Sequence, residues 1–162
     1  TGDPMGRTVI ILYEDFHCLA CAELASDVKT LLRDVPKGIQ IVWKDAPISR
    51  LHPGARATHI AARCAGEQGK FWEFHDAVFA RLTPYIPQGS IPITEADHEA
   101  IAADLKLDQA RWRTCRARSE WNRRLDQRAA EMTQLGITEL PAVFENGVWY
   151  KGKLTAEALS RF

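Results

Sequence analysis

The sequence predicts a mixed α/β fold in which a strand–helix–strand unit comes first, a block of helices follows, and a hairpin ends the chain. Short β-rich apolar runs at 9–13 and 39–43 flank a helical apolar pattern over 20–33. Helical spacing of apolar residues then recurs through the middle of the chain. Near the end, Asn146-Gly147 separates two β-rich runs, which is a strong hairpin signal.

The first unit contains two closely spaced cysteines. The apolar run 9–13 is typical of a buried strand, and Cys18 and Cys21 follow it directly. The helical pattern that begins at 20 places this pair where the first strand passes into the first helix. The unpaired N–H groups and partial positive charge of a helix N-terminus favour a thiolate over a thiol.

The middle of the chain is predicted to be helical. Thr94, with an acid three residues later, and Asp108 are typical N-cap residues, and Gly136 is a typical helix stop. The predicted helices cover 53–66, 71–82, 94–105, a segment starting at 108, and 123–135, with a loop at 83–92. Strands are predicted at 142–145 and 148–151, and a closing helix at 155–162.

Composition excludes several classes of protein. The chain has 162 residues, 21 basic and 21 acidic, so its net charge gives no reason to expect nucleic acid as a partner. The basic stretch 111–128 is interrupted by Glu120 and Asp126 and is interpreted as a solvated helix face. No run approaches the roughly 18 apolar residues of a membrane span, and a signal peptide or anchor is expected outside this sequence.

The Cys18–Cys21 pair predicts thiol–disulfide exchange. Cys18 lies at the exposed helix tip and Cys21 one turn deeper, so Cys18 can attack or be attacked while Cys21 resolves the mixed disulfide. The pKa of Cys18 is expected below the free value of about 8.5. A Cys-x-x-Cys motif near a βαβ pattern is typical of a thioredoxin-like redox site.

Other uses of the pair are weaker. A zinc or copper site that adds His17 lacks the second cysteine pair of most structural zinc sites. Attachment of c-type haem needs a histidine where Ala22 stands. A purely structural disulfide also remains open. We expect neither a cofactor nor a bound metal.

Several segments together resemble the DsbA-like branch of the thioredoxin superfamily. They are the strand at 9–13 with Asp15-Phe16-His17-Cys18-Leu19-Ala20-Cys21, the segment 61–76, and the approach to the hairpin at 135–147. The resemblance implies one domain, 1–162, with a thioredoxin fold and an inserted helical domain at about 53–136. It implies Cys18 as nucleophile, Cys21 as resolving thiol and Pro141 as a cis residue beside them. We expect the substrate to contact His17, Leu19, Ala20 and Leu140.

The motif departs from the family at two positions. Leu19 replaces the usual proline and Ala20 the frequent histidine, which leaves the helix tip and His17 to stabilise the thiolate and predicts a less oxidising site. The family's buried acid on the first strand corresponds to Leu12, and Glu14 and Asp15 are expected to face elsewhere.

The resemblance implies a protein thiol–disulfide oxidoreductase, most simply an oxidase. It would act in the periplasm or another extracytoplasmic compartment, on protein or peptide thiols, with a membrane redox partner. A reductase or isomerase domain of a larger membrane protein is one alternative. A metal-binding or chaperone dithiol module is the other.

Cys64 and Cys115 are either buried small residues or a second, structural disulfide. The extracytoplasmic setting and the family's occasional second bridge favour the disulfide. Aromatic side chains of the middle segment are expected in the core rather than in a peptide groove, and four histidines are given no role; these are Phe71, Trp72, Phe74, Phe79, His52, His59, His75 and His98.

Overall fold

The computed structural model describes residues 1–35, 37–84, 93–152, 154, 155 and 157. The strands are β1 (Thr8–Glu14), β2 (Ile39–Asp45), β3 (Ala142–Glu145) and β4 (Val148–Tyr150). The helices are α1 (Leu19–Asp34), α2 (Ala55–Gly66), α3 (Phe71–Leu82), α4 (Glu95–Asp104), α5 (Gln109–Arg116) and α6 (Glu120–Gln134).

The four strands form one sheet in the order β2-β1-β3-β4. β1 runs parallel to β2, with Ile10 opposite Ile41, and antiparallel to β3. The parallel pair needs a crossover connection, which α1 supplies. The carboxyl ends of β1 and β2 therefore lie at the same edge of the sheet, and α1 begins there.

The hairpin predicted at Asn146-Gly147 is present. Asn146 has a φ of 48° and Gly147 a φ of 84°, which a two-residue turn between right-twisted strands favours. The Asn146 side chain also accepts a hydrogen bond from the backbone N–H of Val9, at 2.9 Å. The turn is thereby attached to the start of β1.

Local helix signals agree with the structure at several ends. Thr94 and Asp97 form a capping box at α4, Asp108 caps α5, and Gly136 follows α6 with a positive φ of 69°. α6 begins at Glu120, three residues before the predicted start, because the Trp121 side chain is buried and anchors the first turn. Of the loop predicted at 83–92, residues 85–92 lie outside the described residues, as does most of the helix predicted at 155–162.

The core has three parts around the sheet. One is formed by α1, whose Leu24, Val28 and Leu31 pack against Ile10 and Leu12 of β1. The largest part lies among the helices and contains fully buried Phe16, Phe74 and Trp112, of which Trp112 donates from its indole N–H to the Ala61 carbonyl at 3.0 Å. A smaller part on the other sheet face contains Tyr13, Ile137 and Ala142.

The helical block carries a covalent link. Cys64 of α2 and Cys115 of α5 form a disulfide whose Cα atoms are 5.7 Å apart. Both residues are buried. Among the described residues, no helix is both long and apolar enough to cross a membrane.

Candidate functional site

The dithiol pair lies at the first turn of α1. Cys18 is the N-cap residue, with extended backbone, and its sulfur accepts a hydrogen bond from the backbone N–H of Cys21 at 3.3 Å. Cys18 is half-buried, whereas Cys21 has no exposed surface. The Cys18 sulfur is therefore accessible to a large reactant, whereas the Cys21 sulfur is enclosed by the protein.

The two thiols differ in acidity. Hydrogen bonds from the thiol and then the backbone N–H of Cys21 lower the pKa of Cys18, against the effect of partial burial. Burial raises the pKa of Cys21 well above its usual range, and the sulfur of Cys18 and the charge of Glu14 add to this. At neutral pH, Cys18 is the better nucleophile and Cys21 holds its proton.

The loop before β3 completes the front of the site. The Leu140–Pro141 peptide bond is cis, and the carbonyl oxygen of Leu140 lies 4.0 Å from the Cys18 sulfur. Ala142, the next residue, pairs with Tyr13 of β1, so the sheet register brings this loop to α1. Leu140 itself is half-buried.

The residues predicted to contact the substrate differ in exposure and in the direction of their side chains. Ala20 is exposed and Leu19 half-buried on the first turn of α1. The ring of His17 turns away toward the helical block, where its Nε2 lies 2.7 Å from the Thr58 hydroxyl. Cys64 and Cys115 lie in the helical block and form their own disulfide.

His17 offers the thiolate no positive charge. Burial is the main cause that lowers the pKa of His17 to about 4. Its ring is therefore neutral at pH 7. The stabilisation comes first from the Cys21 thiol and then from the N-terminal turn of α1, through the backbone N–H groups of Cys21 and Ala20.

Asp15 fixes the loop that follows β2. Its buried carboxylate accepts hydrogen bonds from the backbone N–H groups of His17 and Ile48 at 2.9 and 2.8 Å, and lies 2.8 Å from Nδ1 of His52. Burial opposes ionisation of Asp15, but the hydrogen bonds and charge of His59 and His52 lower its pKa well below the ordinary value. The carboxylate is thus a fixed anchor three residues before Cys18.

His59 joins Asp15 to a second buried acid. Its Nδ1 lies 2.8 Å from Asp45, which also accepts from Arg63 Nε at 2.7 Å, and its Nε2 lies 3.8 Å from Asp15. Burial alone would lower the pKa of His59, but the two carboxylates raise it. The His59 ring, between two carboxylates, therefore connects α2 to the ends of β1 and β2.

Glu14 faces the site, contrary to expectation. Its side chain is fully buried and lies on the same face of β1 as Leu12, because side chains alternate along a strand. Burial raises the pKa of Glu14. Its charge in turn raises the pKa of Cys21. The buried acid thus stands two residues after Leu12, the position of the family's acid. Because side chains alternate along a strand, the same-face relation of Leu12 and Glu14 could have been predicted from the sequence.

The remaining aromatic and histidine residues mostly belong to the core, as predicted. Phe74 and Phe79 are buried, while Phe71 and Trp72 are half-buried against the same cluster. The histidines are not role-free, since His59, His75 and His98 are buried and each lies within hydrogen-bond distance of a polar side chain. Sequence spacing does not show which partner each imidazole meets.

A cavity of about 510 Å³ lies between β2 and α6, away from the dithiol. Arg124 and Arg128 line it, and both form ion pairs with acids of α6. No predicted site residue lines this cavity. Within the described ranges, no three His, Cys, Asp or Glu side chains are arranged to hold a metal ion.

Comparisons with known proteins agree with this geometry. A family model described as thioredoxin matches residues 1–162. The chain is 32% identical over 151 residues to the Na(+)/H(+) antiporter NhaA 1 of Salinispora arenicola, a match that covers 93% of the chain and 22% of that protein. The antiporter NhaA 3 of Salinispora tropica matches equally, so the chain spans about a fifth of the length of these relatives.

Solved structures share the fold. A thioredoxin-like oxidoreductase from Silicibacter pomeroyi has a TM-score of 0.81 at 23% identity, covering 99% of this chain and 87% of that one. The thiol–disulfide exchange protein α-DsbA2 of Wolbachia pipientis has a TM-score of 0.81 at 16% identity, with 99% and 82% covered. DsbA2 of Pseudomonas aeruginosa has a TM-score of 0.72 at 24% identity, with 99% and 88% covered.

The expected thioredoxin fold and the resemblance to DsbA-like proteins are therefore confirmed. The Silicibacter and Wolbachia structures are those of an oxidoreductase and a thiol–disulfide exchange protein. The chain belongs to the thioredoxin family and has the fold of its DsbA-like members.

Proposed function

We propose that this protein is a thiol–disulfide oxidoreductase of the DsbA type, with Cys18 as nucleophile and Cys21 as resolving thiol. The observation that carries the proposal is the asymmetry of the pair. Cys18 is half-buried at a helix N-cap with a lowered pKa, and Cys21 is fully buried with a raised pKa. A structural disulfide has no need of one accessible, acidic sulfur.

In the oxidising direction, a substrate thiolate attacks the Cys18 sulfur of the Cys18–Cys21 disulfide. A substrate–Cys18 bond forms, the bond to Cys21 breaks, and Cys21 leaves as a thiolate that takes up a proton. A second substrate thiolate then displaces Cys18, which leaves as the better-stabilised thiolate. Two electrons pass from two substrate sulfurs to the cysteine pair, and no cofactor is required.

Substrate contact is assigned to the surface around the Cys18 sulfur. Leu19, Ala20, Leu140 and Pro141 offer apolar area, and the backbone beside Leu140 offers a carbonyl 4.0 Å from the sulfur. His17 precedes Cys18 and borders this surface, with its neutral ring turned toward Thr58. An extended peptide fits such a site through main-chain hydrogen bonds.

The proposed direction is oxidation of protein thiols in an extracytoplasmic compartment, with a membrane protein that reoxidises the pair. Ala20 offers no imidazolium beside the thiolate, and His17 is neutral. We therefore expect a reduction potential below that of strongly oxidising family members. Equilibration with glutathione measures this potential, and a value as high as theirs refutes the expectation.

Three variants test the function. Cys18→Ser is expected to abolish oxidation of a reduced, unfolded ribonuclease. Cys21→Ser is expected to accumulate a mixed disulfide visible on a non-reducing gel. The control, Cys64→Ala/Cys115→Ala, keeps the activity when assayed below its melting temperature. Full exchange activity in Cys18→Ser refutes the assignment.

A second candidate role follows from the antiporter relatives. In that role, the same domain is one part of a longer transport protein and its dithiol sets transport activity. The whole gene product in everted vesicles would then show Na⁺-dependent proton exchange that dithiothreitol alters in the wild type and leaves unaltered in Cys18→Ser. Absence of that exchange removes this role without affecting the thiol chemistry.

A further inference from the structure

The buried thiol of Cys21 needs a route for its proton. Each half of the proposed cycle adds a proton to Cys21 or removes one. Cys21 has no exposed surface, and Glu14, whose charge raises the pKa of Cys21, is buried as completely. Neither carboxyl oxygen of Glu14 has a hydrogen-bond partner among the described residues. Burying a carboxyl group without hydrogen-bond partners costs folding free energy, so packing alone does not explain why Glu14 is at this position.

His75 of α3 faces this carboxyl. Its Nε2 lies 4.0 Å from Glu14 Oε2 and has no hydrogen-bond partner within the described part of the chain. The ring is held by edge contacts to Trp43 and Phe79, each with centroids 4.8 Å apart. Closing the gap by about 1 Å gives a hydrogen bond of ordinary length.

The other ring nitrogen leads outward. Nδ1 of His75 lies 2.9 Å from Asp76, whose side chain is 38% exposed and pairs with Lys29 of α1 at 2.9 Å. Asp76 and Lys29 line a surface cavity of about 160 Å³ between α1 and α3. Polar atoms are therefore arranged in series from Glu14 to solvent between α1 and α3.

We propose that His75 and Asp76 form a proton path that connects Glu14, and through it Cys21, to solvent between α1 and α3. The proposal rests on the proposed function, since it serves the resolving thiol. It gives α3 a role in the reaction beyond packing. His59 of α2 also acts on Glu14, and it lies between Asp15 and Asp45.

The proton balance is complete over one cycle. When Cys21 leaves as a thiolate, it takes the proton of the Glu14 carboxylic acid. The ionised carboxylate of Asp76 takes a proton from water and passes it to Nδ1 of His75, while Nε2 of the same ring gives its proton to Glu14. Reoxidation of the pair reverses each transfer, so the imidazole returns to its starting tautomer.

The test separates the step at Cys21 from the step at Cys18. A peptide disulfide first forms a mixed disulfide with Cys18, and Cys21 then releases the peptide, in a single turnover followed by mass spectrometry. His75→Gln keeps hydrogen-bonding capacity without carrying a proton, and is expected to slow release about tenfold or more. Asp76→Asn, at a partly exposed position, is expected to slow release at least about threefold and to make it depend on buffer concentration.

The matched control is Glu73→Gln, a carboxyl-to-amide change on the same helix at a surface pair with Lys70. The rate of Cys18 alkylation by iodoacetamide is expected to stay unchanged in all three variants. Slower release with unchanged alkylation supports the path. A release rate that no longer depends on pH in His75→Gln supports it further. Release at the wild-type rate in both His75→Gln and Asp76→Asn overturns the path.

A second readout needs no activity. The Glu14 carboxyl carbon, followed by ¹³C NMR, is expected to titrate at a different pH in His75→Gln than in the wild type and Glu73→Gln. An unchanged titration overturns the contact between His75 and Glu14. If the wild type itself forms no mixed disulfide, the proposed function fails instead, and the NMR result still decides whether the two side chains are coupled.

Discussion

Removal of the Cys64–Cys115 disulfide gives the most quantitative test of how the helical block is held. The two cysteines are 51 residues apart in sequence. In the chain-entropy model, a cross-link closing a loop of this length stabilises the folded state by about 4 kcal/mol at 25 °C, through its effect on the unfolded chain. This is a large part of the roughly 5–15 kcal/mol that stabilises a typical domain.

The variant is Cys64→Ala/Cys115→Ala in a background where Cys18 and Cys21 are both serine, so that a Cys18–Cys21 disulfide cannot contribute to stability. We expect the free energy of unfolding in urea to fall by about 4 kcal/mol. The melting temperature is expected to fall by about 8–16 °C, at roughly 2–4 °C per kcal/mol for a chain of this size.

The urea dependence separates the two causes of such a loss. Both sulfurs are buried, so alanine also leaves a small cavity. A cavity leaves the slope of unfolding free energy against urea unchanged, whereas release of the loop lets the unfolded chain expose more surface and raises the slope. A loss below about 1 kcal/mol, or a larger loss with an unchanged slope, refutes the entropic reasoning.

Three single substitutions test the polar groups around the site. Thr58→Val removes, at nearly constant volume, the buried hydroxyl 2.7 Å from His17, and is expected to cost about 1–3 kcal/mol in urea unfolding; unchanged stability contradicts the contact. Burial opposes ionisation of Asp45, but His59 lowers its pKa. Ionised Asp45 therefore stabilises the folded wild type above about pH 4, and this stabilisation is lost on acidification. Asp45→Asn is expected to be about 3–5 kcal/mol less stable at pH 7 and to lose less between pH 5 and 3; a parallel pH curve counts against the pair. Burial raises the pKa of Glu14, so the wild type loses stability as the pH rises above about 4.5, and Glu14→Gln is expected to raise the melting temperature more at pH 8 than at pH 4; equal shifts would exclude this assignment.

Much of the architecture was predictable because its signals are local. The place of Cys18 at a helix tip follows from an apolar β-rich run that ends just before a helical repeat. Thr94, Asp108 and the Asn146-Gly147 turn are recognisable because each satisfies backbone groups or dihedral angles within a few residues. The proposed insertion limits, 53–136, and the roles given to the site residues stay predictions.

The buried acid shows where local reasoning stops. The sequence places Glu14 and Leu12 on one face of a strand, but not the depth of that face or the neighbour across it. The contact with His75 joins β1 to a helix 61 positions later in the chain. It exists because α1 and α3 pack over the same sheet face, which depends on long-range packing that no local preference encodes.

The residue types and their short spacings were therefore enough to predict an α/β fold and an ionisable sulfur at the start of α1. Tertiary structure decided which groups tune that sulfur and its partner. It left His17 half-buried as a neutral ring, enclosed His59 between two carboxylates, and joined Cys64 to Cys115. Burial and charge pairing depend on the side chains that distant segments bring together, and only the folded chain brings them together.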